Sequence, residues 1–415
     1  MIKTETLPNG VRVITEDVPY VQSVSIGIWA DSGSRDENDC VLGISHFIEH
    51  MLFKGTPTRT ARQIADAFDS LGGQINAFTE KEYTCYYAKV LSEHMPIAFE
   101  ILSDMFLNSS IDPQEIELEK KVVIEEIKRH EDTPDDLVHD LFAETVWESH
   151  PLGRSILGSV GTVSAFTQAD LKEFMNARYT PDSIVISAAG NLVHEQVVDI
   201  ISGLFGQIEG KRTELSHSRP AFTSESKITT KTTEQVHLCI GTPGFSHQDR
   251  EKYALAVIDA TLGGGISSRL FQEIREKRGL AYSIGSYSVA HREGGFFTVY
   301  AGTSMENVEE VVNLVKVEFD NVRDRNITEE ELTRAKNQIR GAILLGLEGM
   351  SSRMIRAAKS ELYYGRIVPV EEIVSAVMEV THEDVQRIAG QIFAEPAYPV
   401  VAIGPFNGRK DVHCS

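Results

Sequence analysis

Cysteine is scarce in this chain. The four residues, Cys40, Cys85, Cys239 and Cys414, are scattered among 415 and include no CxxC pair. That usage argues against a disulfide framework and fits a reducing compartment. Cys85 and Cys239 stand in strand-like runs (YTCYYAKV and VHLCIGT) and are expected to be buried thiols. Long apolar runs are missing too. No stretch of about 18 apolar residues occurs, so no membrane span is expected. The opening residues, MIKTETLPNGVRVITEDV, hold neither a basic segment nor an apolar one of the secretory kind. Asn9-Gly10 reads instead as a hairpin turn, so folded structure is expected to start at once, in a cytoplasmic protein. Positive charge is in deficit: 40 basic against 61 acidic residues give a formal net charge of −21. This argues against non-specific nucleic-acid binding, which needs a basic surface. It is compatible with basic peptides as substrates, although a well-solvated surface accounts for most of those charges.

The most informative feature that is present is His46-Phe47-Ile48-Glu49-His50, flanked by Val41-Leu42-Gly43-Ile44 and Met51-Leu52-Phe53. Histidines four apart, with a glutamate three after the first, lie on one face of a helix. The apolar flanks predict a buried helix over Gly43–Gly55, where unpaired ionisable groups are costly. A pair of hydrogen-bonded core histidines is the plain alternative. A divalent cation would satisfy both imidazoles, and the order HxxEH, the reverse of HExxH, points to a zinc hydrolase. Glu49 cannot easily bind the same ion as its helical neighbours and also activate water. It is better placed as general base, then as acid to a leaving amine.

A chain of 415 residues is long enough for two or three domains. Periodicity predicts strands over 21–30, 74–79 and 82–90, and helices over 60–71, 93–108, 112–129 and 135–148. From about Ile208 to Ser226 the composition shifts to Gly, Lys, Arg, Ser, Thr and Pro, the best linker candidate. The pattern then recurs, with strands over 235–242, 280–289 and 295–302 and helices over 251–262, 305–323, 328–347 and 351–364. Asp112-Pro113-Gln114-Glu115-Ile116 and Thr328-Glu329-Glu330-Glu331-Leu332 begin equivalent helices, 216 residues apart. The expected fold is therefore α+β: two homologous α/β domains with antiparallel-rich sheets and helices packed on one face. The first would span 1–212, the linker 213–225 and the second 226–415. The second copy lacks the metal chemistry, since Ala335 and Ala342 stand where the first has Glu119 and Glu126.

A zinc site needs a third protein ligand and an open position for water. The 112–129 helix is the best source. Ile116, Val123 and Ile127 mark its apolar stripe, Glu119 and Glu126 fall on or beside it, and Glu125 points away. Geometry alone leaves open that both carboxylates sit at the stripe's edge, reaching solvent or pairing with lysines. Gly72-Gly73 followed by Gln74-Ile75-Asn76-Ala77-Phe78-Thr79 is a helix stop and an extended segment. At a sheet edge such a strand could accept a peptide by β-addition; an ordinary interior strand is the plainer reading.

These residues resemble the pitrilysin (insulinase) family of zinc metallopeptidases, over nearly the whole chain. The similarity is greatest to bacterial half-length members and to the β subunit of the mitochondrial processing peptidase. Its markers are the 43–51 segment; Asn76-Ala77-Phe78-Thr79; Glu119 with Glu126; His150-Pro151-Leu152-Gly153-Arg154; and Ser267-Ser268-Arg269-Leu270-Phe271 through Arg275 to Gly279-Leu280-Ala281-Tyr282-Ser283. The resemblance implies one zinc ion per chain on His46, His50 and Glu126, with Glu49 as base and Glu119 orienting a ligand. It implies that Asn76, Ala77 and Phe78 contact the substrate, that Arg275 holds it and that Tyr282 stabilises the oxyanion. Without it, Arg275 reads as a solvated helix charge and Tyr282 as a strand core residue. It further implies an endopeptidase that hydrolyses peptides or unfolded segments in a closed chamber. Full-length members are two halves, so a half-length chain is expected to form a homodimer in which Arg275 and Tyr282 serve the partner's zinc site. Two other classes stay open: a non-proteolytic assembly or core subunit, and a lyase of the kind that pairs a similar HxxEH with a catalytic cysteine, for which Cys85 would be the candidate.

Overall fold

Asn9-Gly10 turns the chain, with Gly10 at φ 105°, where a side chain would be strained. It joins strands β1 (Ile2–Thr6) and β2 (Arg12–Asp17) into an antiparallel pair. β3 (Ser23–Ala30) follows, then helices α1 (Ile44–Leu52) and α2 (Ala61–Ser70), and the hairpin of β4 (Gln74–Thr79) and β5 (Thr84–Leu91). Next come α3 (Met95–Asn108), α4 (Pro113–Glu131), α5 (Pro134–Val146), α6 (Val160–Ala165) and α7 (Gln168–Arg178), then β6 (Ile184–Gly190) and α8 (His194–Phe205). After the 208–226 stretch the chain forms β7 (Lys227–Thr230), β8 (Val236–Pro243), α9 (Lys252–Leu262), a π-helical turn Phe271–Glu276, β9 (Ala281–Ala290) and β10 (Gly295–Thr303). It ends with α10 (Val308–Arg325), α11 (Glu329–Gly346), α12 (Met350–Tyr364), α13 (Val370–Glu379), α14 (His382–Ile392) and β11 (Val400–Gly404). This computed structural model describes residues 1–213, 215–394 and 398–406. Glu214 of the expected linker and Cys414 lie outside the described residues. No helix among the described residues is long and apolar enough to cross a membrane.

The two sheets repeat one topology. The first has the order β1-β2-β6-β3-β5-β4 and the second β7-β11-β8-β10-β9. In each, one parallel pair (β2 with β6, β7 with β11) adjoins antiparallel ladders. The α+β expectation holds, down to the repeat. β6 and β11 escaped the sequence reading. Both are buried along their whole length, so they carry no polar alternation to betray a strand.

The chain divides into two compact units that are not collinear with the sequence. One comprises Met1–Lys128, Arg154–Ser216 and Gly346–Ile367; the other comprises Arg129–Gly153, His217–Leu345 and Val368–Ser415. The passage at Ser216 falls within the expected linker. The linear division at 212 and 226 does not include the two exchanged segments, 129–153 and 346–367. Those segments hold α5 and α12, which begin 216 residues apart, at Pro134 and Met350, and so are equivalent helices.

Each exchanged helix covers the sheet face that the other helices leave open. In the first unit, alternate strand residues such as Val24, Ile26, Ile28 and Ile186 pack with α1, α3 and α8, while Ile14, Trp29, Cys85 and Val185 meet Met354, Ala357, Ala358 and Leu362 of α12. A Cβ on Gly27 would stand 2.6 Å from Met354 Sδ, so a larger residue would push the Met354 side chain aside. Trp29 Nε1 donates to Ser187 Oγ (3.1 Å), which donates to the Met354 carbonyl (3.1 Å). In the second unit, Val138, Phe142 and Val146 of α5 pack on Cys239, Phe296, Val401 and Ile403. There a Cβ on Gly241 would fall 2.3 Å from Phe142 Cζ. Helices thus cluster on one face of each sheet, as expected, and one exchanged helix closes the other. Cys85 and Cys239 are the buried free thiols that their strand runs predicted. Burial pushes the Cys85 thiol up, which removes it as a candidate nucleophile.

Candidate metal centre

α1 is two-sided. Ile44, Phe47, Ile48, Met51 and Leu52 are fully buried and anchor it in the core of the first unit. The 3.6-residue period then turns His46, Glu49 and His50 to the other side, where they meet α4 and β4. From α4, Glu126 brings Oε2 to 3.7 Å from His46 Nε2 and 3.5 Å from His50 Nε2. The donor atoms of His46, His50 and Glu126 all lie within 4.8 Å of one another, the one such group among the described residues. Donors on a tetrahedral zinc, each about 2.0–2.1 Å from it, stand roughly 3.3 Å apart, so this spacing suits the ion. Glu125 points away and pairs with Lys128 at 2.7 Å, as the helix-face argument required.

The electrostatics of the two imidazoles differ. Burial, followed by the neighbouring His50, lowers His46 to about 3, so its ring is neutral. Its buried Nδ1 has no hydrogen-bond partner. Glu119, 3% exposed, accepts from His50 Nδ1 at 2.8 Å and also pairs with Lys54. That bond assigns the proton to Nδ1 and leaves Nε2 free toward Glu126. Burial works to lower the His50 pKa, but the bond to Glu119 and its charge raise it on balance. Glu119 itself is held below the usual carboxylate range: burial opposes this, but His50 and Lys54 outweigh it. Glu119 thus faces the core, and its partners are His50 and Lys54, the latter a lysine pairing that the helix geometry had left open.

Glu49 is anchored from the sheet. Thr79 Oγ1 donates to Glu49 Oε2 at 2.6 Å. Burial raises the Glu49 pKa despite that bond. β4, which carries Thr79, pairs with β5 alone and forms the edge of its sheet, so the interior-strand reading of 74–79 gives way. Asn76 is exposed there, and its Oδ1 accepts from the Ala77 amide at 2.9 Å. Ala77 packs toward the core that holds α1. Phe78 points to the opposite sheet face, in an aromatic cluster with Trp29, Tyr83 and Tyr87. Lys54 and Thr79 escaped the sequence reading as contributors. Their signal was position: Lys54 one turn past His50, Thr79 at the end of the strand beside α1.

Arg275 and Tyr282 belong to the second unit, and the structure brings them together. Arg275 lies in the π-helical turn, its guanidinium 4.6 Å from the Phe271 ring centre and 5.8 Å from that of Tyr282. Tyr282 opens the edge strand β9 and is 76% exposed, so it is not the core residue that its strand position alone suggested. π-Turns concentrate at functional sites because they reshape one face of a helix.

Comparison with known proteins gives the following. Residues 12–160 match the family described as Insulinase (Peptidase family M16), and residues 165–339 match the Peptidase M16 inactive domain. The chain is 44% identical over 405 residues to a Bacillus subtilis protein named uncharacterized zinc protease YmxG, with 98% of each chain covered. It is 40% identical to the uncharacterized zinc protease SCO5738 of Streptomyces coelicolor, covering 99% of this chain and 91% of that one. Among solved structures, a peptidase M16 inactive domain from Pseudomonas fluorescens superposes with a TM-score of 0.91 at 19% identity, covering 98% of both chains. A protease from Helicobacter pylori does so with 0.88 at 21%, covering 98% of this chain and 99% of that one.

Proposed function

Because the chain belongs to the insulinase family, peptidase family M16, we propose that it is a zinc-dependent endopeptidase whose centre is built from His46, His50 and Glu126 with Glu49 as general base. The observation that carries the proposal is the convergence of two imidazoles and one carboxylate beside a second, separately anchored carboxylate. His46, His50 and Glu126 would hold zinc, which when bound would supply a Lewis acid for the scissile carbonyl and a more acidic water.

The chain's own residues do the rest. A peptide in extended form adds to the free edge of β4, taking main-chain hydrogen bonds around Asn76 and Ala77. Thr79 occupies Glu49 Oε2, which leaves Oε1 to take the proton from water and return it to the departing amine. Glu119 holds the tautomer of His50. Tyr282 donates its phenolic proton to the developing oxyanion and Arg275 holds the substrate, both supplied from the partner chain of a homodimer whose closed chamber admits peptides or unfolded segments. Phe78, on the opposite sheet face, acts on substrate side chains that point that way. A reducing, cytoplasmic setting fits the free thiols Cys85 and Cys239.

Metal analysis of the purified protein and cleavage of a quenched peptide library test the proposal. Glu49→Gln is expected to retain zinc and lose cleavage; cutting at the wild-type rate would sink the base assignment. Full zinc loading with no cleavage of any library member would favour a non-proteolytic core subunit. Mixing Glu49→Gln with Tyr282→Phe tests the shared site. Activity should reappear in the heterodimer, and its absence despite subunit exchange counts against the dimer.

A further inference from the structure

α1 carries three site residues in nine, yet it has no cap of its own. Its N-cap is Gly43, at φ 89°, with no side chain to offer. A capping serine or aspartate cannot replace it, since a Cβ there would stand 2.6 Å from the Leu157 carbonyl oxygen. A helix left so has unsatisfied N–H groups at its start. Glu37, six residues upstream and 4% exposed, supplies the missing acceptors. Its Oε2 accepts from the Gly43 amide at 2.7 Å and its Oε1 from the Ser45 amide at 2.8 Å. Both oxygens are thus engaged, and the second holds the residue next to His46.

The segment that presents Glu37 is itself braced. Arg154 donates to the Glu37 carbonyl at 3.2 Å and pairs with Asp39 at 2.7 Å. The Ser34 and Arg35 amides donate to the carbonyls of Glu80 and Lys81, at 3.2 and 2.9 Å. Glu80 follows Thr79, the residue that holds Glu49. One frame therefore grips α1 at two points: by its N-terminal amides and by its catalytic carboxylate. Burial pushes the Glu37 carboxyl up to about 7 against the two amide bonds that lower it, so its anion depends on these amides and the positive end of the helix.

We infer that Glu37 is a positioning residue for the metal centre: its carboxylate sets the seat of α1, and through it the placement of His46 and Glu49. The inference rests on the zinc reading above. Replacing Glu37 with glutamine keeps the size but leaves one amide facing an N–H₂ group instead of an acceptor. α1 must then shift or tilt to relieve it.

The test begins with zinc affinity of the wild-type protein, measured by chelator competition at about pH 8. A wild-type chain that binds no zinc sinks the zinc reading itself. Given wild-type binding, Glu37→Gln is expected to weaken zinc about tenfold. It should change the visible spectrum of the cobalt-substituted protein, and lower kcat with KM within about twofold. A purely structural role would lower the melting temperature and leave the affinity, the spectrum and kcat unmoved, which overturns the inference. Should Glu37→Gln fail to fold, Glu37→Asp is measured in the same way. Its carboxylate is one methylene too short to reach both amides, so wild-type affinity in that variant is equally fatal.

Discussion

Replacing Glu119 with glutamine isolates the contribution of charge behind a proposed metal ligand. Glu119 is 3% exposed, accepts from His50 Nδ1 at 2.8 Å and pairs with Lys54. Glutamine fills the same volume and can still accept one hydrogen bond, so the change removes the charge and one of the two acceptors. A hydrogen bond to a charged group contributes about 1.5–3 kcal/mol, against about 0.5–1.5 for a neutral pair. The difference, on the order of 1–2 kcal/mol, corresponds to a zinc affinity lower by roughly 5–30-fold. The amide also cannot serve both neighbours: with its oxygen toward His50, its N–H₂ faces the Lys54 ammonium, which pushes the effect to the upper end. Competition with a chromophoric chelator reads the affinity. It should be followed from about pH 7 to pH 9, because the same carboxylate raises the His50 pKa and lets protons compete with the ion. Glu117→Gln is the control on the same helix, since Glu117 is exposed and pairs with Lys120. Equal affinities for Glu119→Gln and wild type across that range would refute the claim that Glu119 prepares His50 for the metal.

Glu126→Gln should lose zinc while Glu125→Gln keeps it, read by metal content after dialysis; equal loss would break the helix-face assignment. Ser187→Ala should lower stability to urea by about 1–3 kcal/mol, because it strands the buried Trp29 N–H and removes the side-chain donor that ties the Met354 carbonyl of α12 to the sheet. Asp259, on α9, is raised from 3.8 to about 6, mainly by burial, although Ser286 donates to it at 2.5 Å. A raised acid adds stability below its unfolded pKa and loses it as pH climbs through about 6. Asp259→Asn should therefore be more stable than wild type by on the order of 2 kcal/mol near pH 8 and equal to it near pH 4. Parallel melting curves at both pH values would contradict the shift.

The candidate site could be assembled from the sequence in part, because its spacing is helical. His46, Glu49 and His50 share a face of α1, and Glu119 and Glu126 lie along a face of α4, by a periodicity that any stretch of helix must obey. Which carboxylate meets the metal position and which meets His50 was not a local matter. Glu119 is buried and Glu126 half-exposed at the edge of the stripe, and the docking of α4 on α1 assigns them, Glu126 to both imidazoles and Glu119 to Nδ1 of His50. Tyr282 shows the same limit from the other side. Its run reads as a strand, but only the position of β9 at a sheet edge makes the ring exposed.

The sequence alone was enough for the hairpin at Asn9-Gly10, the succession of most strands and helices, the repeat at 216 residues and the shared helix faces of His46, Glu49 and His50 and of Glu119 and Glu126. These follow from turn chemistry and periodicity, which act between near neighbours. Tertiary structure alone decided the pairing of β6 with β2 and of β11 with β7, the edge position of β4 and the exchange of α5 and α12. Each of those depends on which apolar surface finds which. A helix such as α12 displays the same apolar stripe whichever sheet it covers. What selects the sheet is the fit of Met354 over Gly27 and the hydrogen bond from Ser187, made by residues far away in the chain.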